Sequence, residues 1–181
     1  LEGLDVPGAL RGPSEAASPP LVLTCVNGKR DACCAKWGRP VAQAAADAAP
    51  DAAWQTSHLG GHRFAPITLV LPHGSQYGWL SSEDVPDLLS AHRRGRVFNL
   101  DRLRGHVHHT RPVQAACLSL RHRLDVHELD LVHGAIVEEG EEAWTVQVTV
   151  DGEVRTAHVL QTVRACAFPH SCGADWAKPD A

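Results

Sequence analysis

The sequence predicts an α/β fold in which a layer with a mixed sheet is followed by a helix and a small antiparallel β meander. Two observations support this prediction. Between residues 21 and 95, short apolar segments and helical segments follow the order strand, helix, strand, strand, strand, helix. Near residues 144–150, apolar residues alternate with polar ones, which is the period of a half-buried strand.

The first strand and helix are predicted from a short apolar run and an alanine-rich segment. Residues 21–24 form the apolar run, which ends at Cys25. Pro40 predicts the start of a helix, because proline is favoured in a first helical turn, and Pro50 predicts its end. Residues 53–57 are then expected to form a second strand that leads directly into His58.

A hairpin and a second helix complete the predicted layer. Residues 67–71 and 76–80 are expected to be strands joined by a glycine-containing turn. Ser82 is predicted to cap a helix that continues to His92 and ends at Gly95, because acidic residues lie in its first turn and basic residues in its last.

The C-terminal part is predicted to be a helix followed by three antiparallel strands. The helix covers residues 112–124, and its apolar stripe includes Cys117, which we expect to be a buried core thiol. The strands are expected over residues 131–137, 144–150 and 154–163, with Asp151-Gly152 as a hairpin turn. The chain therefore divides into a flexible lead-in over 1–20, a core over 21–98, and a helix, meander and cysteine-containing tail over 99–181.

Composition excludes several classes of function. The 181 residues carry a formal net charge of −4, and 5% are aromatic, which argues against a nucleic-acid partner. No apolar run approaches the roughly 20 residues of a membrane span. Phosphate-loop, dinucleotide and nucleophile-elbow motifs are absent from the sequence.

Two pairs of soft ligands follow the ends of predicted strands. Cys25 and Cys34 are separated by eight residues, with Cys33 beside the second of them, and His58 and His62 flank two glycines. Because strand-end loops build sites in α/β sheets, we expect these pairs to meet. Leu59 stands where a helical zinc protease needs its general base, so that class is excluded.

Two cysteines and two histidines fit two kinds of metal site. One is a tetrahedral zinc ion. The other is a [2Fe–2S] cluster with two thiolates on one iron and two imidazoles on the other. A third interpretation is a thiol–disulfide oxidoreductase that uses the adjacent Cys33 and Cys34.

Two segments resemble the signatures of the sucrase/ferredoxin-like family. They are residues 24–35, TCVNGKRDACCA, and residues 57–66, SHLGGHRFAP. The resemblance implies a thioredoxin-like ferredoxin fold. It also implies a [2Fe–2S] cluster held by Cys25 and Cys34 on one iron and by His58 and His62 on the other. Family members extend further at the N-terminus and this chain begins with Leu1, so we expect an N-terminally truncated member.

The expected function is pH-coupled one-electron transfer between protein partners in the cytoplasm, without turnover of a substrate. A sucrase is not expected, since the only dense acidic run, residues 138–142, is predicted to be a solvated turn and not a pair of catalytic carboxylates. The arginine-rich residues 93–111 are expected to form a solvated basic loop, with docking of an acidic redox partner as the alternative. Cys166 and Cys172 are expected to be free thiols in the tail.

Overall fold

The computed structural model describes residues 19–162, so residues 1–18 of the lead-in predicted over 1–20 and the tail thiols Cys166 and Cys172 lie outside the described residues. Between residues 21 and 93, helices and strands follow the predicted order. None of the helices between residues 19 and 162 is long and apolar enough to cross a bilayer. The division of the chain at residue 98 stays a prediction.

A mixed sheet forms the first layer, as the sequence predicts, but it has five strands and not the four that were expected. Its strands are β1 (Leu21–Cys25), β2 (Ala53–Thr56), β3 (Thr68–Leu71), β4 (Ser75–Tyr77) and β5 (Leu103–His106). They lie in the order β2-β1-β3-β4-β5. The pair β1 and β2 is parallel and the other pairs are antiparallel. The parallel pair brings the C-terminal ends of β1 and β2, and therefore Cys25 and the segment before His58, to the same edge.

Two helices enclose the core of this layer. They are α1 (Ala32–Ala48) and α2 (Val85–Arg93). The core they share with the sheet contains Val22, Val41, Val70, Tyr77, Leu88 and Leu103. Burial of these apolar side chains is the main force that fixes the two helices against the strands.

The remaining helix packs against a separate three-stranded antiparallel sheet. The helix is α3 (Arg111–Leu124), and the strands are β6 (Val132–Glu139), β7 (Ala143–Val150) and β8 (Glu153–Leu160). Their shared core confirms the predicted burial of Cys117 and of alternate residues on β7. The turn at Asp151-Gly152 between β7 and β8 is also confirmed.

The predicted start of the first helix is wrong. Helix α1 begins at Ala32, eight residues before Pro40, so proline lies inside it. An internal proline costs a helix about 3 kcal/mol. Burial of Cys34, Gly38 and Val41 on one face offsets this cost, because that stripe runs through the proline without interruption. Cys34 consequently lies in the first turn of a helix and not in a loop.

Two further expectations are corrected. Strand β5 lies within residues 93–111, which the sequence predicts to be a basic loop. Its residues Arg104, Gly105 and His106 are poor strand formers, but it pairs with β4 at the edge of the sheet. In addition, Ser81 and not Ser82 forms the capping box with Asp84, whose Oδ2 accepts from the Ser81 N–H at 2.7 Å.

Candidate metal centre

Three of the four predicted ligands converge at the edge where β1 and β2 end. Cys25 is the last residue of β1, Cys34 lies in the first turn of α1, and His58 follows β2. Their donor atoms all lie within 4.8 Å of one another. Both cysteines are buried and carry free thiols. The local fold therefore places two sulfur donors and one imidazole around a common point.

A glycine sets how closely α1 approaches the end of β1. Gly38 faces the backbone of Cys25, and a Cβ at this position would lie 2.1 Å from the Cys25 carbonyl oxygen. Only glycine allows this approach. The contact fixes the distance between the strand that carries Cys25 and the helix that carries Cys34.

The histidine loop takes its shape from its two glycines. Gly60 and Gly61 have φ of +80° and +61°, in the left-handed region that glycine adopts without strain. A short 3₁₀ helix then spans His62–Phe64. The loop is tied to the sheet because Gln76 Nε2 donates a hydrogen bond to the carbonyl of Leu59 at 3.3 Å.

His62 is not part of the group of three, but it lies beside it. Its ring centroid is 5.8 Å from that of His58. Its Nδ1 lies 3.3 Å from Oδ2 of Asp31. Asp31 is not among the site residues predicted from the sequence, because the helix was expected to start later. Asp31 stands at the N-cap position of α1 without capping it, and its carboxylate faces the histidine loop.

The two adjacent cysteines differ in their surroundings. Cys34 is fully buried, whereas Cys33 is partly exposed and its Sγ lies 3.8 Å from the carbonyl oxygen of His62. Burial, followed by the neighbouring Cys25 thiol, raises the pKa of Cys34 to about 12. The geometry thus favours Cys34 over Cys33 as the partner of Cys25.

The residues present fit a thiophilic metal group. Within the described residues, the buried Nδ1 of His58 has no hydrogen-bond partner. Ile67, Leu59 and Phe64 form apolar walls around the cysteines and limit access of water. A cation at this point would stabilise the thiolates against the effect of burial and would use the soft sulfur and imidazole donors.

A cationic and aromatic face borders the histidine loop. Phe64 and Trp79 pack edge to face with ring centroids 5.0 Å apart. The guanidinium of Arg104 lies 5.0 Å from the Phe64 ring and 4.9 Å from the Trp79 ring, and that of Arg63 lies 4.7 Å from Phe64. Trp79 is 45% exposed. We refer to these four residues as the arginine–aromatic face.

Comparison with known proteins decides the family. The model of the sucrase/ferredoxin-like family matches residues 6–105, which is more than half of the chain and includes all four predicted ligands. The chain belongs to the sucrase/ferredoxin-like family. No curated protein matches this family member significantly.

Solved structures resemble this sucrase/ferredoxin-like protein only in part. One structure of a thioredoxin-like [2Fe–2S] ferredoxin from Aquifex aeolicus is 22% identical, covers 49% of this chain and 93% of its own, and has a TM-score of 0.42. A structure of the wild-type form of that ferredoxin is 22% identical, covers 48% of this chain and 97% of its own, and has a TM-score of 0.40.

Proposed function

We propose that this sucrase/ferredoxin-like protein is an electron carrier with a [2Fe–2S] cluster. Cys25 and Cys34 hold one iron, and His58 and His62 hold the other. The convergence of the Cys25, Cys34 and His58 donor atoms within 4.8 Å is the observation that carries the proposal. The family match over the same segment supports it. When bound, the cluster supplies one-electron redox chemistry at the edge of the sheet.

The chain's own residues tune that chemistry through their charge. Neutral imidazoles at His58 and His62 replace two thiolates, so the site holds less negative charge than a four-cysteine site. The midpoint potential should therefore lie well above the roughly −400 mV of plant-type four-cysteine clusters.

Histidine ligands also couple the electron to a proton. Each imidazole that donates one nitrogen to iron keeps a second nitrogen that can hold a proton. At His62 the Asp31 carboxylate is placed to accept from the Nδ1 proton, across 3.3 Å. Reduction adds negative charge next to these rings and favours their protonated form, so the potential should fall as the pH rises.

A structural zinc site is the second candidate. The three converging donor atoms would also surround one tetrahedral ion, with His62 or Cys33 as the fourth ligand. A thiol–disulfide oxidoreductase is less well supported. The pKa of Cys34, raised to about 12, keeps its sulfur protonated and therefore a poor nucleophile without a metal.

The arginine–aromatic face supports a protein partner with an acidic surface. Trp and Arg side chains dominate the binding energy of many protein interfaces. Arg63 directly follows His62 in the chain, and the guanidinium of Arg104 contacts the rings of both Phe64 and Trp79. We therefore propose that a redox partner docks on this face, next to the proposed cluster. The cytoplasmic location of this exchange stays a prediction.

A redox titration at several pH values tests the carrier function. We expect the midpoint potential to fall by about 59 mV per pH unit over the range in which one imidazole proton is linked to reduction. His62→Cys should lower the potential and remove part of this dependence, whereas the exposed His158→Gln should change neither. A potential that is constant between about pH 6 and 10 would contradict the proposed coupling.

A further inference from the structure

A second group of histidines lines a cavity away from the cysteines. The cavity has a volume of about 140 Å³, and its polar lining consists of His73, His106, His108, Asp130 and His133. It lies where the β3–β4 turn and the end of β5 face the start of β6. The proposed electron carrier does not use any of these residues. We refer to this space as the histidine cavity.

His106 has a buried ring nitrogen that lacks a partner. His106 is only 5% exposed. Its Nδ1 lies 3.2 Å from the carbonyl oxygen of His73 and 3.4 Å from Ser75 Oγ. Because a carbonyl only accepts, Nδ1 carries the proton and Nε2 carries a lone pair. Among the described residues this buried Nε2 has no hydrogen-bond partner, which is costly unless a ligand meets it.

In two other histidines of the histidine cavity, one ring nitrogen also contacts an oxygen atom of the protein. His133 Nε2 donates to the backbone carbonyl of Asp130 at 2.6 Å. His73 Nδ1 lies 3.5 Å from the Asp130 carboxylate. Metal-binding histidines usually donate their second nitrogen to a carbonyl or a carboxylate, which orients the ring. The three rings therefore show the outer contacts of metal ligands.

The charge state of His106 suits a cation. Burial is the main cause that lowers the pKa of His106 to about 4, and Arg121, His108 and His109 lower it further. His106 is consequently neutral at pH 7. Neutral imidazoles do not attract anions, but they are good ligands for zinc and similar ions.

We infer that the histidine cavity binds one divalent transition-metal ion of the class that prefers imidazole, such as Zn²⁺. His106 Nε2 is the buried anchor, and His73, His108 and His133 are the candidates for the other ligands. In the part of the chain that the structure describes, only the donors of Cys25, Cys34 and His58 converge within 4.8 Å. The more exposed rings of the histidine cavity must therefore rotate to close on the ion, which predicts weaker binding than at a preformed site.

Zinc titration of a variant without the cysteine donors tests this inference. The full chain with Cys25→Ala, Cys33→Ala and Cys34→Ala is freed of metal and titrated with Zn²⁺ by calorimetry near pH 7. We expect one ion per chain, and a loss of affinity of at least about tenfold on adding His106→Gln. His133→Gln changes a more exposed residue and should weaken binding with less risk to folding. The exposed His158→Gln is the matched control and should have no effect.

Cobalt distinguishes this site from any site built on thiols. Co²⁺ bound by imidazole and oxygen lacks the intense thiolate-to-cobalt charge-transfer absorption, so the bound ion should give only weak visible bands. If the cysteine variant does not fold, the same titration is done on the parent chain after its cysteine site has been filled with metal. We then expect one additional ion, whose binding depends on His106 and His133. No binding, thiolate absorption, or equal affinity in the His106→Gln and His133→Gln variants would overturn the inference.

Discussion

Nδ1 of His62 lies 3.3 Å from Oδ2 of Asp31, a carboxylate on a residue that is only 2% exposed. A carboxylate at this distance fixes the orientation of the imidazole and selects its tautomer, which leaves Nε2 for a metal. The pair also connects the start of α1 to the histidine loop. In the proposed site Asp31 is thus a positioning residue, although it contributes no atom to the group of converging donors.

Removing the Asp31 charge should weaken metal retention. In Asp31→Asn the amide is a poorer acceptor for the His62 N–H, and loss of such an outer contact typically costs 10–100-fold in metal affinity. The measurement is the rate at which iron is lost to a chelator, followed by absorbance. Asp51→Asn, at an exposed position, is the control and should lose iron at the parent rate. Equal rates in both variants would remove Asp31 from the site.

Adding one methyl group at Gly38 should destabilise the protein, although Gly→Ala normally stabilises an exposed helix by about 0.5–1 kcal/mol. The new Cβ would meet the Cys25 carbonyl oxygen at 2.1 Å and force α1 away from β1. We expect a loss of about 1–3 kcal/mol in urea unfolding, together with reduced metal content. The adjacent, exposed Arg39→Ala should stay within about 0.5 kcal/mol of the parent. A stabilised Gly38→Ala protein would show that the contact is not tight.

Buried His92 should make stability depend on pH. Its Nε2 lies 2.8 Å from the Tyr77 hydroxyl, and burial lowers its pKa from 6.5 to about 3. Below pH 6.5 the unfolded chain takes up a proton at this residue and the folded chain does not. As the pH is lowered from 6.5 to about 3, the free energy of unfolding should therefore decrease by up to about 1.4 kcal/mol per pH unit.

Unfolding in urea at several pH values, in the presence of chelator, measures this slope. In His92→Gln the slope should be shallower by the contribution of one proton, whatever the variant does to stability at pH 7. His122→Gln, at an exposed position, should keep the parent slope. Parallel curves for the parent and His92→Gln would mean that His92 is protonated in the folded state.

The arginine–aromatic face should accelerate electron transfer to anions. Charged surfaces next to a site change association rates by 10-fold or more at low ionic strength. The double variant Arg63→Gln and Arg104→Gln should be oxidised about tenfold more slowly by ferricyanide, with no such loss for a cationic ruthenium hexaammine oxidant. Stopped-flow kinetics at two salt concentrations measure both rates. The exposed Arg123→Gln should behave as the parent, and equal slowing with both oxidants would exclude an electrostatic role.

The sequence was sufficient for the order of elements between residues 21 and 93, for the meander, and for the convergence of Cys25, Cys34 and His58. Short apolar runs and period-two alternation depend on local burial, and β1, β3 and β7 each carry buried residues at alternating positions. The two glycines between the histidines also predicted a loop, and both have positive φ. These features are local in the chain and hence visible in its sequence.

Other features depend on tertiary contacts that no local pattern records. Pro40 indicated a helix start, but packing of Cys34 and Gly38 against the sheet extends α1 backwards to Ala32. Strand β5 forms because its backbone pairs with β4 at the edge of the sheet, although it contains arginine, glycine and histidine. The role of Asp31 follows only from the position of the histidine loop in space.

The most direct test is the iron and acid-labile sulfide content of the full chain purified without oxygen, compared with the Cys34→Ala and Cys33→Ala variants. We expect about two irons and two sulfides per parent chain, with a red-brown colour. We also expect that the Cys34→Ala variant loses both and that the Cys33→Ala variant keeps them. A colourless parent protein that carries one zinc ion and no sulfide would contradict the proposed cluster.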